Sequence, residues 1–371
     1  MTVTSQIPAQ DVSDEIRVID LFAGAGGFTA GFRSASDRFH TVRAVEWDAA
    51  AAASYEATFG EGIVFAGSIQ DWLREGDIPA ADLIVGGPPC QGFSMLGTQN
   101  VEDERNVLWR EYMETIILVQ PKYFVVENVA AFAKSPQYHL FRAETLPGGN
   151  LEEYSFDYRI LNAADYGAPQ SRKRTVIIGH RRDLPLPGWP SPRERAEPVT
   201  VRKAFEDARI PEETIGIDFP DERRFVFQGK ALAGPFSREE LHLGRRYTQL
   251  SLDRFSVIPI GGNRFDLAAA RPDLLPNCWV GHRTGSADVM GRLHWDKPSV
   301  TIRTEFFKPE KGRYLHPRAD RAITHFEAAV LQGFPPEHRF VGSKTAIARQ
   351  IGNAVPIPLG RAIAQELLKQ F

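Results

Sequence analysis

Between residues 16 and 180 the chain alternates short apolar runs with helix-like segments, and this alternation restricts its fold more than any other feature. "IRVIDLF" (16–22), "HTVRAVEW" (40–47), "GIVFAG" (62–67), "ADLIVGG" (81–87), "KYFVVENV" (122–129), "SFDYRIL" (155–161) and "RTVIIG" (174–179) read as strands. "FTAGFRSA" (28–35) and "DAAAAASYEATF" (48–59) read as helices. "ERNVLWREYMETIILVQ" (104–120) carries apolar residues at helical spacing, and Pro121 ends it. Strands separated by helices predict an α/β fold built on a doubly wound, mostly parallel, Rossmann-like sheet.

The rest of the chain reads differently. At 371 residues it has room for about two domains. Residues 1–14 are polar and read as a flexible tail, and 15–184 as the larger, sheet-bearing domain. In 185–290 Pro and Gly are dense ("DLPLPGWPSP", "IPIGGN") and periodicity is poor, which predicts a smaller, irregular second domain. Order returns in 291–371, with a strand expected at "PSVTIRT" (298–304), a Thr-capped helix at "THFEAAVLQGF" (324–334) and a final helix at "PIPLGRAIAQELLKQF" (356–371). The net charge of −3 argues against a whole-chain polycation, though it permits a local basic cleft. Two distant cysteines, Cys90 and Cys278, do not make a disulfide framework and suit a reducing compartment. With no signal-like apolar core and no run long enough to span a bilayer, a cytoplasmic protein without a membrane partner is expected.

"DLFAGAGGF" follows the first strand and opens the first helix, where glycines let the backbone approach a ligand at a helix N-terminus. Glu46 ends the second strand and is placed to accept hydrogen bonds from ribose hydroxyls, and Trp47 beside it to stack on a purine. Gly24, Gly26 and Gly27 leave Thr29 where a dinucleotide fingerprint would have its last glycine. That favours a smaller adenosine cofactor such as S-adenosylmethionine over NAD.

"GGPPCQGFS" (86–94) places one of the two cysteines on a stiff turn directly after a strand. In an open α/β sheet ligands sit beyond the carboxyl ends of the strands, so Glu46, Cys90 and Glu127 should share one edge. Taken singly, Cys90 reads as a small buried hydrophobe and Glu127 as a capping carboxylate. Taken together they suit the activation of a pyrimidine. A thiolate adding to ring carbon 6 makes carbon 5 nucleophilic, and a partly protonated carboxyl group engages ring nitrogen 3.

Six blocks, "DLFAGAGGF", "GGPPCQGFS", "ENV" (127–129), "QSRKR" (170–174), "LQGFP" (331–335) and "RQIGNAVPIPLG" (349–360), occur in the order seen in DNA cytosine-5 methyltransferases, and the chain resembles that family over nearly its whole length. The resemblance implies a class I methyltransferase fold with a target-recognition domain, transfer from S-adenosylmethionine to carbon 5 of a flipped-out cytosine, and double-stranded DNA as substrate. It implies Cys90 as nucleophile, Glu127 on the cytosine edge, and Arg172 and Arg174 holding the base. It implies cofactor contacts at Phe22, Ala23, Gly24, Gly26, Gly27, Glu46, Trp47, Ile69, Pro88, Leu108, Asn353, Ala354 and Val355, the last helix folding back beside the first. Where the family shows Gly-Asp-Ile the chain has "GSI", so Ser68 stands in for the Asp that contacts adenine, with Asp71 three residues on.

DNA contacts are expected from Gln91, Ser94 and Arg105 in and beside the stretch 91–106, which resembles the family's mobile loop, and from Gln170 and Arg303. Basic residues cluster at 172–182 and again across 283–321, including Arg292, Arg313 and Arg321, and suggest a basic cleft that positions phosphates. The irregular domain should read the bases. A monomer is implied, either an orphan methylase or one serving a restriction-modification system in which the partner endonuclease acts on the same DNA without a stable complex. The alternatives are an RNA cytosine-5 methyltransferase of similar core and a catalytically silent DNA-binding homologue. An amino-methyltransferase is rejected because Gly87, not Asp or Asn, precedes the Pro-Pro pair.

Overall fold

The computed structural model describes residues 14–89, 104–192, 197–280 and 288–371. Cys90, Gln91 and Ser94 lie outside them, as do the side chains of Arg105 and Cys278.

The strands expected before residue 180 are all present, each end within two residues of its expected place: β1 (Ile16–Leu21), β2 (Phe39–Glu46), β3 (Val64–Ala66), β4 (Leu83–Gly86), β5 (Tyr123–Val129), β6 (Tyr154–Asn162) and β7 (Lys173–Arg181). They form one seven-stranded sheet in the order β3-β2-β1-β4-β5-β7-β6. The first five strands run parallel, while β7 is antiparallel to both β5 and β6. Strand order reverses between β1 and β4, the place where an open α/β sheet leaves a crevice for a ligand. The glycine turn leaves β1 and the Gly-Pro-Pro turn leaves β4, so both open onto it. Side chains on β4 and along most of β5 are buried, as they must be in a sheet covered on both faces.

Helices α1 (Gly27–Ala35), α2 (Ala49–Phe59), α3 (Ile69–Glu75), α4 (Glu104–Val119) and α5 (Pro136–Glu144) flank the sheet. Neither α3 nor α5 was expected, although Ser135 as cap and Pro136 in the first turn are readable start signals for α5. Beyond β7 the regular pieces are short: α6 (Val201–Asp207), a hairpin of β8 (Arg224–Phe227) and β9 (Lys230–Ala233), β10 (Phe236–Ser237), α7 (Gln249–Ser256) and α8 (Arg264–Ala270). They are followed by α9 (His325–Gln332), β11 (Arg339–Phe340), α10 (Lys344–Asn353) and α11 (Ile357–Leu368). Val201, Phe205 and Phe236 share one buried core with Leu293, Ile302, Leu331 and Ile347, so packing crosses the expected boundary at 290.

The strand expected at 298–304 is not formed. Val300 and Ile302 alternate with polar residues in sequence, but among the described residues the segment's only ladder contact is an isolated bridge between Ser299 and Gln170. Ser171 N donates to Ser299 O and Ser299 N to Pro169 O, while Ile302 N and Ile302 O are bonded to the side chains of Gln170 and Arg172, so the segment is tied to a loop, largely through side chains, in place of a strand ladder. Among the described residues no helix is long and apolar enough to cross a membrane.

His338 is fully buried among Phe59, Phe334 and Phe340, and among the described residues neither of its ring nitrogens has a hydrogen-bond partner. Burial pushes its pKa down to about 3. The imidazole is therefore neutral when folded, and protonation near the ordinary histidine pKa favours the unfolded chain. Stability from this site is fully present above pH ~6.5 and falls as pH drops toward 3. His338→Leu should leave stability within about 1 kcal/mol of wild type at pH 7, since loss of aromatic packing offsets removal of an unsatisfied polar group. At pH 5 the variant should be more stable by roughly 2 kcal/mol, about 1.4 per pH unit. Denaturant melts of the two proteins at both pH values check this, and a pH-independent difference contradicts it.

Candidate active site

The glycine turn is shaped by close packing. Gly26 caps α1 with φ +89°, and a Cβ there would lie 2.2 Å from the ring of Phe59. At Gly27 a Cβ would lie 2.9 Å from Val355 O and 3.3 Å from the Cβ of Ala354. The segment after α10 is thereby pressed onto the turn after β1, bringing Ala354 and Val355 beside Gly27 across more than three hundred residues of sequence. Phe22 is held at φ +55°, and the space around Gly24 is open, with nothing within 4 Å of a Cβ built there. Among the described residues no side chain caps α1, which leaves the N–H groups of its first turn without a side-chain acceptor.

Glu46 ends β2 with its carboxylate buried. One oxygen accepts from Gly24 N at 2.8 Å and the other from Asp48 N at 2.7 Å. Burial pushes its pKa up to about 7 against the opposing backbone hydrogen bonds. Trp47 next to it is 73% exposed, so its ring face is free to stack. Behind the turn, Asp20 accepts from Thr29 Oγ1 at 2.7 Å, and burial pushes it likewise to about 7. Thr29 also meets Tyr55 Oη at 2.7 Å. This buried polar link between β1, α1 and α2 was not anticipated, although Asp20 sits inside the quoted glycine block.

Ser68 caps α3. Its hydroxyl accepts from Asp71 N at 3.1 Å and donates to the Asp71 carboxylate at 2.6 Å, while Arg74 binds the other Asp71 oxygen at 2.7 Å. The two candidates for the missing acidic contact are thus a bonded pair. Ile69 is buried under α3, so only its backbone can meet a ligand. Phe22 and Leu108 are partly buried against the same core, and Asn353 is exposed at the end of α10.

The Gly-Pro-Pro turn and Glu127 do come together. Asn128 Nδ2 donates to Pro88 O at 2.9 Å, and a Cβ at Gly87 would lie 3.5 Å from Glu127 Oε2. Arg174 Nε lies 2.9 Å from Glu127 Oε1, an ion pair with both side chains largely buried. The antiparallel register of β5 and β7 sets this up by placing Arg174 opposite Val129, two residues from Glu127.

The neighbouring arginine behaves differently. Arg172 is buried, and its Nη1 donates to Ile302 O at 2.9 Å and Gly352 O at 3.0 Å. Burial first, then Arg174, lowers its pKa to about 9, still cationic at neutral pH. Gln170 is fully buried: its Nε2 donates to Gln332 Oε1 at 2.8 Å and Leu331 O at 3.3 Å, and its Oε1 accepts from Ile302 N at 2.8 Å. It is a strut between segments and has no polar atom left for DNA. Gln332, which in turn donates to Ile351 O, completes this buried joint and was missed as an individual residue, though it lies in the quoted "LQGFP" block. Arg303 is exposed, with its guanidinium steadied by Tyr314 Oη at 3.0 Å and Lys311 O at 2.8 Å.

Much of the expected basic cleft is internal. Arg292 is buried and donates to Phe255 O, Ile258 O, His316 O and Ala319 O, besides pairing with Asp320. Arg313 donates to Gly261 O, Gly262 O and Arg292 O, and Arg321 pairs with buried Glu327 through both carboxylate oxygens. In the first cluster, Arg181 pairs with Asp183, and Arg182 donates to Glu152 O and Thr145 O. Such carbonyl-bound guanidiniums hold loops together where regular structure is sparse.

Residues 16–369 match the family described as C-5 cytosine-specific DNA methylase. The chain belongs to that family. It is a DNA cytosine-5 methyltransferase. The Type II methyltransferase M1.HphI of Haemophilus parahaemolyticus is 36% identical to this methylase over 95% of the chain and 86% of the relative. The Type II methyltransferase M.XorII of Xanthomonas oryzae pv. oryzae is 33% identical over 95% and 84% respectively. In fold, the methylase resembles a prophage-encoded DNA modification methyltransferase of E. coli, with a TM-score of 0.70 at 24% identity over 96% of this chain and 99% of that one.

Proposed function

We propose that this methylase acts on one cytosine within a short duplex DNA sequence, using S-adenosylmethionine, through a covalent adduct on Cys90. The juxtaposition of the Gly-Pro-Pro turn with the Glu127–Arg174 pair supports this reading most directly. The crevice around Gly24 fits the cofactor's adenosine and amino-acid parts: an open space, a helix N-terminus, a buried carboxylate and an exposed indole. S-adenosylmethionine, when bound, supplies the methyl group. Phe22, Ala23, Gly24, Gly26, Gly27, Glu46, Trp47, Ser68, Ile69, Pro88, Leu108, Asn353, Ala354 and Val355 would hold it.

The cytosine is flipped from the stack, at a cost of a few kcal/mol. The Cys90 thiolate forms a bond to carbon 6, and the displaced electron pair moves to carbon 5. Glu127 hydrogen-bonds the edge at nitrogen 3, so negative charge does not build up there. Arg174 fixes the Glu127 carboxyl group against that edge, and Arg172 anchors the β7 end from behind. After carbon 5 is methylated, its proton leaves to a base and the sulfur–carbon bond breaks, restoring the ring and the thiolate. Ser94 contacts a DNA phosphate, Gln91, Arg105 and Arg303 contact the DNA, and the irregular stretch 185–290 reads the bases. The named relatives are Type II methyltransferases, so we extend to this chain a restriction-modification role in the cytoplasm, as a monomer.

The deciding experiment is expression in a host without cytosine methylation, then bisulfite sequencing of its DNA, with Cys90→Ser as control. Protected cytosines in one recurring sequence, lost in the control, are expected. No protection would shift the substrate to RNA or mark a silent homologue. Glu127→Gln should lower turnover by roughly two to four orders of magnitude with little change in cofactor affinity. A single-turnover rate equal to wild type would remove Glu127 from the chemistry.

A further inference from the structure

One concave surface of the second lobe is not part of the site above. A cleft of about 460 Å³ lies between the N-terminal ends of α9 and α10, lined among others by Asp218, Arg245, Arg246, Tyr247, Phe307 and Lys344. Several arginines elsewhere in this lobe are matched by acids: Arg202 by Asp296, Arg223 by Asp221, Arg271 by Asp273, Arg321 by Glu327. Arg245 and Arg246 are exposed, and among the described residues neither is ion-paired. Lys344 and Asp218 face each other at 3.4 Å and largely cancel. The two guanidinium charges are left uncompensated in a concavity, on a protein whose net charge is −3.

The pair is also held in place. Just before it, Gly244 N donates to Gly216 O at 2.7 Å and Ile215 N to His242 O at 3.1 Å. Just after it, Tyr247 Oη accepts from Ala322 N at 3.1 Å, and the ring packs edge-on against Phe255. Arg245 lies over the Tyr247 ring at 5.9 Å. Adjacent forked cations on a loop fastened at both ends suit bidentate recognition of phosphate oxygens, and they lose little conformational freedom on binding.

We propose that this cleft is a phosphodiester-binding site that grips the backbone of duplex DNA away from the reacting cytosine, an inference that rests on the DNA methylase reading. The ten residues of α10 separate Lys344 from Asn353, about 14 Å at 1.5 Å per residue. Duplex DNA spans that distance in about four base pairs at 3.4 Å each. The contact adds affinity and salt dependence without reading sequence.

The test uses the full chain and a duplex of roughly thirty base pairs centred on the sequence found by bisulfite mapping. Binding is measured from low to moderate salt for wild type and for Arg245→Ala/Arg246→Ala. Losing two phosphate contacts should reduce the slope of log K against log salt by about 1.8 and weaken binding by roughly one to two orders of magnitude at 0.1 M salt. Arg245→Lys/Arg246→Lys should retain the slope, and unchanged cofactor affinity shows that each variant is folded. Wild-type methylation together with an unchanged slope in the alanine variant overturns the cleft assignment alone. A wild-type protein that neither methylates nor binds duplex DNA overturns the DNA reading, and this inference with it.

Discussion

Cys90→Ser or Cys90→Ala abolishes methyl transfer to DNA, lowering it by roughly four orders of magnitude or more, while S-adenosylmethionine still binds. The size of the effect follows from the chemistry. Carbon 5 of cytosine is not nucleophilic enough to attack a methyl donor until carbon 6 carries an added group. Serine keeps the shape, but its hydroxyl is a far weaker nucleophile than a thiolate. Glu127 and Arg174 meet at the turn that leads to Cys90, so they remain positioned in the variant but have no adduct to stabilise. Cofactor binding persists because the glycine turn, Glu46 and the 353–355 segment do not depend on the thiol. Measured single-turnover rates and cofactor titrations check both halves. Full activity in either variant refutes the covalent mechanism.

A chain ending at Ala348 binds no cofactor and shows no cooperative unfolding transition. The deleted piece contains α11, whose Leu359, Ile363 and Leu367 are fully buried beside Ile16, Val18, Leu83 and Val85 of the central strands. Exposing three such side chains costs roughly 5–9 kcal/mol, comparable with the whole stability of a domain at about 5–15 kcal/mol. The loss is compounded where α1 and α11 touch through glycines: a Cβ at Gly31 would lie 2.9 Å from Gly360 Cα. The same deletion removes Gly352 O, on which Arg172 rests. Gly27→Val separates site from fold, because its side chain would meet Val355 at the cofactor wall. It should lose cofactor affinity while keeping a cooperative melt. Intact binding by the truncated chain would show that the fold-back is dispensable.

Periodicity and punctuation determined a good deal without any structure. Apolar runs of strand length, separated by helix-like segments, place β1 to β7 because a covered sheet demands buried residues on both faces. Glu46 and Glu127 could be assigned to one edge from chain direction alone, since parallel strands deliver their ends to the same side. What lay beyond the sequence was pairing. Nothing local says that β7 runs antiparallel to β5, yet that register is what puts Arg174 on Glu127. The 298–304 segment has strand-like alternation but found a loop for a partner rather than a strand. Gln170, Arg172 and Arg292 look from their sequence context like surface groups facing DNA, and they turned inward because buried carbonyls needed donors that only tertiary packing brought near. Arg245 and Arg246, by contrast, lie outside the basic clusters picked from sequence, and stayed exposed and, among the described residues, without ion pairs. Residue type and order thus determined the fold class and the family, through local periodicity and motif order. The tertiary structure decided which charges face solvent, because that depends on which distant carbonyls and carboxylates end up within 3 Å or so of each one.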